Sequence, residues 1–420
     1  MKHFYGWINV AVLVLIYMLL MMAPLLSFGV ILAPLTANLG ISKTVASFAY
    51  TLMSLISGVG AVAAGVFAKK IGNRNAICCG AVLVAVGSMI MYLWCSNVIV
   101  LYICYVCFFS IGLTIGTILP INTIITQWFS KYRGIALSIV SCGAGIGGIV
   151  INPIMANIVE FTGNWRNVYL CLAAFALASL GLAAFLVKEC PQVVGQVPDG
   201  RKVDDSWSDY SDKKDNSKYR TKEVWTLKEA RKTSIFYFMV ICIGVCSFSQ
   251  TSINTHAVSH LSNCGLSATL AATVVGSFAL SSIPCRLISG FCCDRINPKI
   301  ILASGLVCMA IGIIVLNNVT SVHMGYFFAI IAGIGYGFAY ASLNPIVANC
   351  FGAENFGMIY GGIYSISALI NASAPTIMGA CYDLRGEYSL SWMLLIALLL
   401  IAFCCSLCLR IPRKPVQTVQ

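Results

Sequence analysis

"GFCCDRINPK" at residues 290–299 closes a long apolar run, and "GVFAKKIGNR" at residues 65–74 closes another in the first half of the chain. The two stretches lie 225 residues apart, close to the 223 that separates Gly112 and Gly134 from Gly335 and Gly357 in the second half. Such spacing indicates a diverged internal repeat. The units repeated are apolar runs long enough to cross a bilayer, which takes roughly 20 residues per helix. They fall near 8–33, 45–67, 77–95, 98–121, 135–158 and 166–187, then 234–256, 267–291, 300–317, 324–346, 358–379 and 391–409. The expected fold is therefore all-α and integral to the membrane, with twelve transmembrane helices in two pseudo-symmetric six-helix bundles. Of the 420 residues, 59% are apolar and only 10% charged, more apolar surface than a water-soluble domain can hide.

A net charge of +12 invites a nucleic-acid reading, and the placement of the charges argues against it. With the N-terminus in the cytoplasm, Lys43, Arg166 and Arg385 fall outside and Arg286 within a span; every other Lys and Arg lies on the cytoplasmic side. This is the positive-inside pattern, and it places both termini in the cytoplasm. The twenty cysteines lie mostly inside spans, where Cys acts as a small apolar filler. Their spacing offers no tetrahedral metal site, so neither a metal nor a cofactor is expected. Between Lys188 and Lys232 the composition turns polar, as in "KKDNSKYRTKEVW", which reads as a solvated linker. Its end, with Val224, Trp225 and Leu227, reads as a short helix lying against lipid headgroups. The expected organisation is a first bundle at 1–187, a linker at 188–232 and a second bundle at 233–420.

Arg286 stands out in the second half. It precedes Asp294 by eight residues, about 12 Å at roughly 1.5 Å per helical residue. In a hydrocarbon core about 30 Å thick that is close to the midplane. An arginine there costs roughly 2.5–3.5 kcal/mol or more, so it marks a functional position by default. Its planar fork of donors matches a carboxylate. No Asp or Glu lies deep in any span, and His256, His260 and His323 map to outer ends, where we expect surface residues. Tyr336 and Tyr340, and Tyr360 and Tyr364, are pairs one helical turn apart, and each pair shares a helix face. Asn122, Asn344 and Asn371 are amides inside spans, suited to lining a cavity or to bridging helices.

With these residues in view, the chain resembles the major facilitator superfamily, and within it the oxalate/formate antiporter and monocarboxylate transporter group. The superfamily's loop signature, G-x-x-x-D-R-x-G-R-K, is kept at Gly290, Asp294, Arg295 and Lys299, while Lys69 replaces the acid in the first half. "WFSKYRGIALSIVSCGAGIGG" at 128–148 matches the group's fifth-span signature except at Ser138, and "CPQVVGQVPDG" at 190–200 resembles the beginning of its linker. The resemblance implies that Arg286 binds a substrate carboxylate, with Tyr336 and Tyr340 at places like the family's aromatic box; Tyr360, Tyr364 and Asn122 are further candidates to line the cavity. Ser282 stands where mammalian-type carriers place an acid, and Ser367 at or near the second cation of oxalate-type carriers. One cation suits one carboxylate, because a second would remain an unpaired anion in a low-dielectric cavity. Asp294, Arg295, Arg133 and Gly290 are the expected gating residues at the cytoplasmic end.

The function expected is secondary transport of a small monocarboxylate by antiport or proton symport, in a bacterial inner membrane and as a monomer. A dicarboxylate/formate exchanger and a carboxylate sensor without flux are the alternatives. The expected partners are the anion, protons and lipid, with no nucleic acid. An enzyme is not expected, since the spans carry no G-x-S-x-G, H-E-x-x-H or paired carboxylates.

Overall fold

The apolar runs become helices whose ends are set by local side-chain chemistry. The computed structural model describes residues 4–129, 132–200, 221, 223–293, 295–352 and 355–412. It is helical, without a strand among the described residues. The long helices are α1 Gly6–Leu39, α2 Lys43–Ile71, α3 Asn73–Trp94, α4 Val98–Trp128, α5 Arg133–Thr162 and α6 Arg166–Phe185. The second half supplies α7 Ser234–Asn263, α8 Ala268–Cys293, α9 Pro298–Asn317, α10 Val322–Phe351, α11 Phe356–Arg385 and α12 Ser389–Cys408. Ser42, Asn97, Thr233 and Ser321 cap α2, α4, α7 and α10 by accepting backbone N–H groups of the first turn. By length and composition, 11 helices among the described residues can cross a membrane. The long helix outside that set is α11, whose Tyr360, Tyr364, Ser365, Ser367, Asn371 and Ser373 make it more polar.

The repeat inferred from glycine spacing is physical. Helices α3 and α4 pack together, as do α9 and α10; α3 pairs with α6 as α9 does with α12; α1 pairs with α5 as α7 does with α11. At the α3–α4 crossing, a Cβ on Gly80 would lie 2.5 Å from Gly112 O. At the α9–α10 crossing, a Cβ on Gly305 would lie 2.7 Å from Gly335 O. The same two backbones therefore touch in each half, at equivalent positions. Gly163 and Gly386, which end α5 and α11 at left-handed φ of 63° and 74°, continue the equivalence into the turns.

Two compact units emerge from the packing: Met1–Lys213 with Asn254–Ala279, and Lys214–Ile253 with Leu280–Gln420. Helices α7 and α8 thus each contribute to both. In α8 the crossover is followed closely by Pro284, which has no N–H to bond the carbonyl of Leu280.

In the first unit the beginning of the linker is ordered against the bundle. Asn9 Nδ2 donates to Lys188 O (2.9 Å), and Trp128 Nε1 donates to the same carbonyl (2.8 Å). Glu189 Oε1 accepts from Asn73 N (2.6 Å), placing a carboxylate at the positive end of α3. The solvated-linker expectation is corrected at Lys188 and Glu189 by these contacts. It is corrected again in the second unit. Trp225 is buried against Phe351, not laid on lipid, with ring centroids 5.9 Å apart. The capping box of Thr226 and Glu229 starts a single turn, Leu227–Ala230, and Leu227 packs beside Gly362 of α11. Residues 201–220 lie outside the described set.

The outer-end histidines also depart from expectation. His256 (0% exposed) and His260 (7%) are buried, whereas His323 is exposed. His256 Nε2 lies 3.5 Å from Ser47 Oγ, and Lys43, expected in an outer loop, is buried and donates to Ser259 Oγ (3.1 Å). These side chains join the start of α2 to the second half of α7 inside the first unit. Nearby, Gly148 of α5 and Gly276 of α8 meet closely enough that a Cβ on Gly148 would lie 2.8 Å from Ala279 Cβ.

Candidate substrate-binding site

The second unit gathers most of the polar side chains singled out in its sequence around Arg286. Gly337 makes this possible: a Cβ there would lie 2.5 Å from Ser282 O and 2.7 Å from Cys285 Cβ. Without one, α10 seats directly on α8, and the residues flanking Gly337 reach the guanidinium. Arg286 Cζ lies 5.2 Å from the Tyr336 ring centroid and 5.5 Å from that of Tyr340. The two rings are 5.4 Å apart and inclined at 32°, so they form one continuous π surface under the cation. Each cation–ring contact is worth about 0.5–2 kcal/mol, depending on desolvation. Together they offset much of the cost of an arginine at this depth.

The rings cannot satisfy the guanidinium's in-plane donors. Arg286 Nε is buried with no hydrogen-bond partner, and the side chain as a whole is half-buried. No carboxylate among the described residues pairs with it. A buried unsatisfied donor costs about 1–3 kcal/mol, and more when it is charged. Side-on approach of an anion to the fork removes that cost. The cation is thus held by two aromatic faces while its Nε has no acceptor among the described residues.

Residues behind the rings hold them. The Tyr336 hydroxyl donates to Gln250 Oε1 of α7 at 2.5 Å, and Tyr336 is 2% exposed. The Thr251 hydroxyl donates to Asn371 Oδ1 of α11 at 2.6 Å. Tyr340 is close enough to interact electrostatically with Tyr336, Tyr360, Tyr364 and Arg286, which brings the α11 tyrosines to the same place. Tyr360 and Tyr364 are stacked, with centroids 6.1 Å apart and planes 23° apart.

We expect Tyr336→Phe to raise the substrate concentration for half-maximal uptake several-fold, with little change in maximal rate. The lost hydrogen bond is worth about 1 kcal/mol, and Gln250 loses the hydroxyl that fixes it. Initial-rate measurements check this. An unchanged half-saturation value would make the Tyr336–Gln250 contact irrelevant to the site.

Other expected residues are placed elsewhere. The Ser367 hydroxyl is turned into the α7–α11 contact, donating to Val240 O and Ile363 O, each at 2.9 Å. Ser282 is buried on α8 one turn before Arg286, with its backbone against Gly337. Asn122 is exposed on α4 and belongs to the first unit. At the end expected to be cytoplasmic, Gly290 lies in the last turn of α8 and Arg133 opens α5; Arg295 is exposed and its N–H donates to Cys292 O at 3.0 Å. Asp294 lies outside the described residues. Lys299, the last residue of the loop signature, has a visible task. Its ammonium donates to Leu407 O and Leu409 O, where the negative end of α12 favours a cation. Gln250 was the partner that sequence reading missed; its signal was an amide inside the apolar run "VCSFSQTSI".

Comparison with known proteins agrees with this architecture. The sequence profile of the Major Facilitator Superfamily matches residues 10–375 and 244–420. A riboflavin transporter of Saccharomyces cerevisiae is 23% identical over 86% of this chain and 69% of its own length. The oxalate:formate antiporter of Oxalobacter formigenes is 23% identical over 78% of this chain and 74% of its own. Among solved structures, the unoccupied inward-facing form of a bacterial homologue of the human lysosomal transporter Spinster superposes with a TM-score of 0.72. It is 17% identical and covers 97% of this chain and 98% of its own.

Proposed function

The chain belongs to the major facilitator superfamily and is a multi-pass membrane transporter of the cell membrane, and from that premise we propose that it carries a small monocarboxylate. The observation that carries this reading is Arg286: a guanidinium braced by two tyrosine rings, with its Nε buried and unbonded. A carboxylate offers two acceptor oxygens in one plane, which suits that fork. The likeness to the oxalate:formate antiporter supports an organic anion as cargo. On this reading the six-helix halves, 1–187 and 233–420, alternate in exposing the site, and Asp294, Arg295, Arg133 and Gly290 act at the cytoplasmic gate. Helices α7 and α8, which contribute to both compact units, carry the movement.

Uptake of radiolabelled lactate, pyruvate, formate and oxalate into proteoliposomes tests the proposal. We expect saturable uptake of the monocarboxylates and weak uptake of oxalate. Failure of every carboxylate to enter or exchange removes the proposal. Oxalate as the best substrate replaces it with dicarboxylate exchange. Dependence on an internal anion identifies antiport, and dependence on an imposed pH gradient identifies proton symport.

A further inference from the structure

The α11 tyrosines supply more aromatic surface than a carboxylate of three or four carbons can use. Tyr364 is 47% exposed, unlike the tyrosines that pack the bundles, such as Tyr169 (1%), Tyr336 (2%) and Tyr388 (2%). Exposure in a membrane protein has two ordinary causes, lipid contact and a water-filled cavity. The neighbourhood decides between them. Tyr364 lies three residues before Ser367 and seven before Asn371, on the face of α11 whose side chains bond α7, so it is turned into the bundle that holds Tyr340 and Arg286. The face Tyr364 leaves open is backed by Tyr360, stacked behind it at 6.1 Å.

The arrangement has two ends. At one, Arg286 presents in-plane donors and takes charge. At the other, Tyr364 presents aromatic surface that is 47% exposed. Aromatic side chains bury about 150–250 Å² each. A formate or lactate bound at the guanidinium leaves that face wet. A flat, unsaturated body attached to the carboxylate covers it, and gains the offset-stacking preference of two π systems.

We infer that the substrate is a carboxylate carried on a flat aromatic or heteroaromatic body, with the carboxylate on Arg286 and the ring stacked on Tyr364. The inference rests on the carboxylate reading of Arg286 and narrows it. The expected discrimination is by shape: benzoate and indole-3-carboxylate over cyclohexanecarboxylate, which has similar bulk but no π face.

The test measures binding by the full-length protein in detergent, as ligand-induced thermal stabilisation, together with counterflow in proteoliposomes. The probes are benzoate, indole-3-carboxylate, cyclohexanecarboxylate and lactate. We expect the two aromatic acids to bind roughly tenfold more tightly than cyclohexanecarboxylate or lactate, the scale of one stacking contact. Tyr364→Leu should erase the preference for benzoate over cyclohexanecarboxylate, and Tyr364→Phe, which keeps the ring, should retain it. Lactate binding as tightly as benzoate overturns the aromatic body and leaves the carboxylate reading standing. A preference that survives Tyr364→Leu overturns the assignment of the ring to Tyr364. Absence of binding by all four acids overturns both.

Discussion

Arg286→Gln is expected to lower carboxylate uptake by about 30-fold or more while leaving thermal stability undiminished. Truncating one side of a desolvated, hydrogen-bonded charge pair costs roughly 2–5 kcal/mol. Every 1.4 kcal/mol is about tenfold in affinity, so the loss falls between roughly 30-fold and several thousand-fold. Stability should move the other way. In the unliganded protein the guanidinium is a cost, with a buried Nε that no group among the described residues satisfies. Replacing it by a neutral amide removes a charge from membrane depth. Arg286→Lys makes the argument sharper. It keeps the charge but loses the planar fork and the fit over the faces of Tyr336 and Tyr340. Uptake by Arg286→Lys should therefore stay about tenfold or more below the parent, at the scale of one lost charge-assisted bond. Initial rates in proteoliposomes, with melting curves on the same preparations, measure both quantities. Retention of more than half the parent's uptake by Arg286→Gln would exclude Arg286 from the substrate site.

The residues legible in the sequence were those whose chemistry conflicts with lipid. Arg286 shows at once because a charge eight residues inside an apolar run has few innocent explanations. Tyr336 and Tyr340 follow from helical spacing, which puts both on one face, and the structure puts that face over Arg286. The expected burial failed where position along a span was taken for exposure. His256, His260 and Lys43 sit at helix ends, yet the first unit packs the start of α2 against the second half of α7 and encloses them. That contact joins residues about half the chain apart, and helical periodicity carries no information about it. Ser367 and Gln250 fail in opposite directions for the same reason. A serine and an amide inside apolar runs look equally available for a substrate; only the packing of α11 and α10 on α7 shows that Ser367 Oγ turns to Val240 O, and Gln250 to the Tyr336 hydroxyl. The linker's edges were misjudged because polar composition says nothing about distant caps. Glu189 is one more acid in a charged stretch until it meets the N-terminus of α3.

Gly305→Val and Gly80→Val are expected to destabilise the protein strongly, and by similar amounts. The cost of overpacking depends on what the added atoms strike. At Gly305 a Cβ would lie 2.6 Å from Ala339 N and 2.7 Å from Gly335 O; at Gly80 it would lie 2.5 Å from both Gly112 O and Gly116 Cα. These are backbone atoms, which cannot rotate aside as a flexible side chain does, so the two helices must separate. Overpacking a close-packed core costs typically about 1–3 kcal/mol, and contact with a rigid backbone belongs at or above the upper end. A control is built into the chain. Nothing lies within 4 Å of a Cβ on Gly181, so Gly181→Ala should be neutral or slightly stabilising through helix propensity alone. The two damaging variants should nevertheless differ in function. Gly305 presses on Gly335, the neighbour of Tyr336, and moving α10 away from α9 displaces the ring that supports Arg286. Gly80 acts on α4, in the other compact unit. Below its lowered melting temperature, Gly305→Val should show a raised half-saturating substrate concentration, whereas Gly80→Val should chiefly lose folded protein. Melting curves and substrate titrations on the two variants separate these effects. Equal melting temperatures for Gly305→Val and the parent would show that the crossing yields easily. Equal rises in half-saturation for both variants would mean that the site does not depend on how α10 is seated in its own unit.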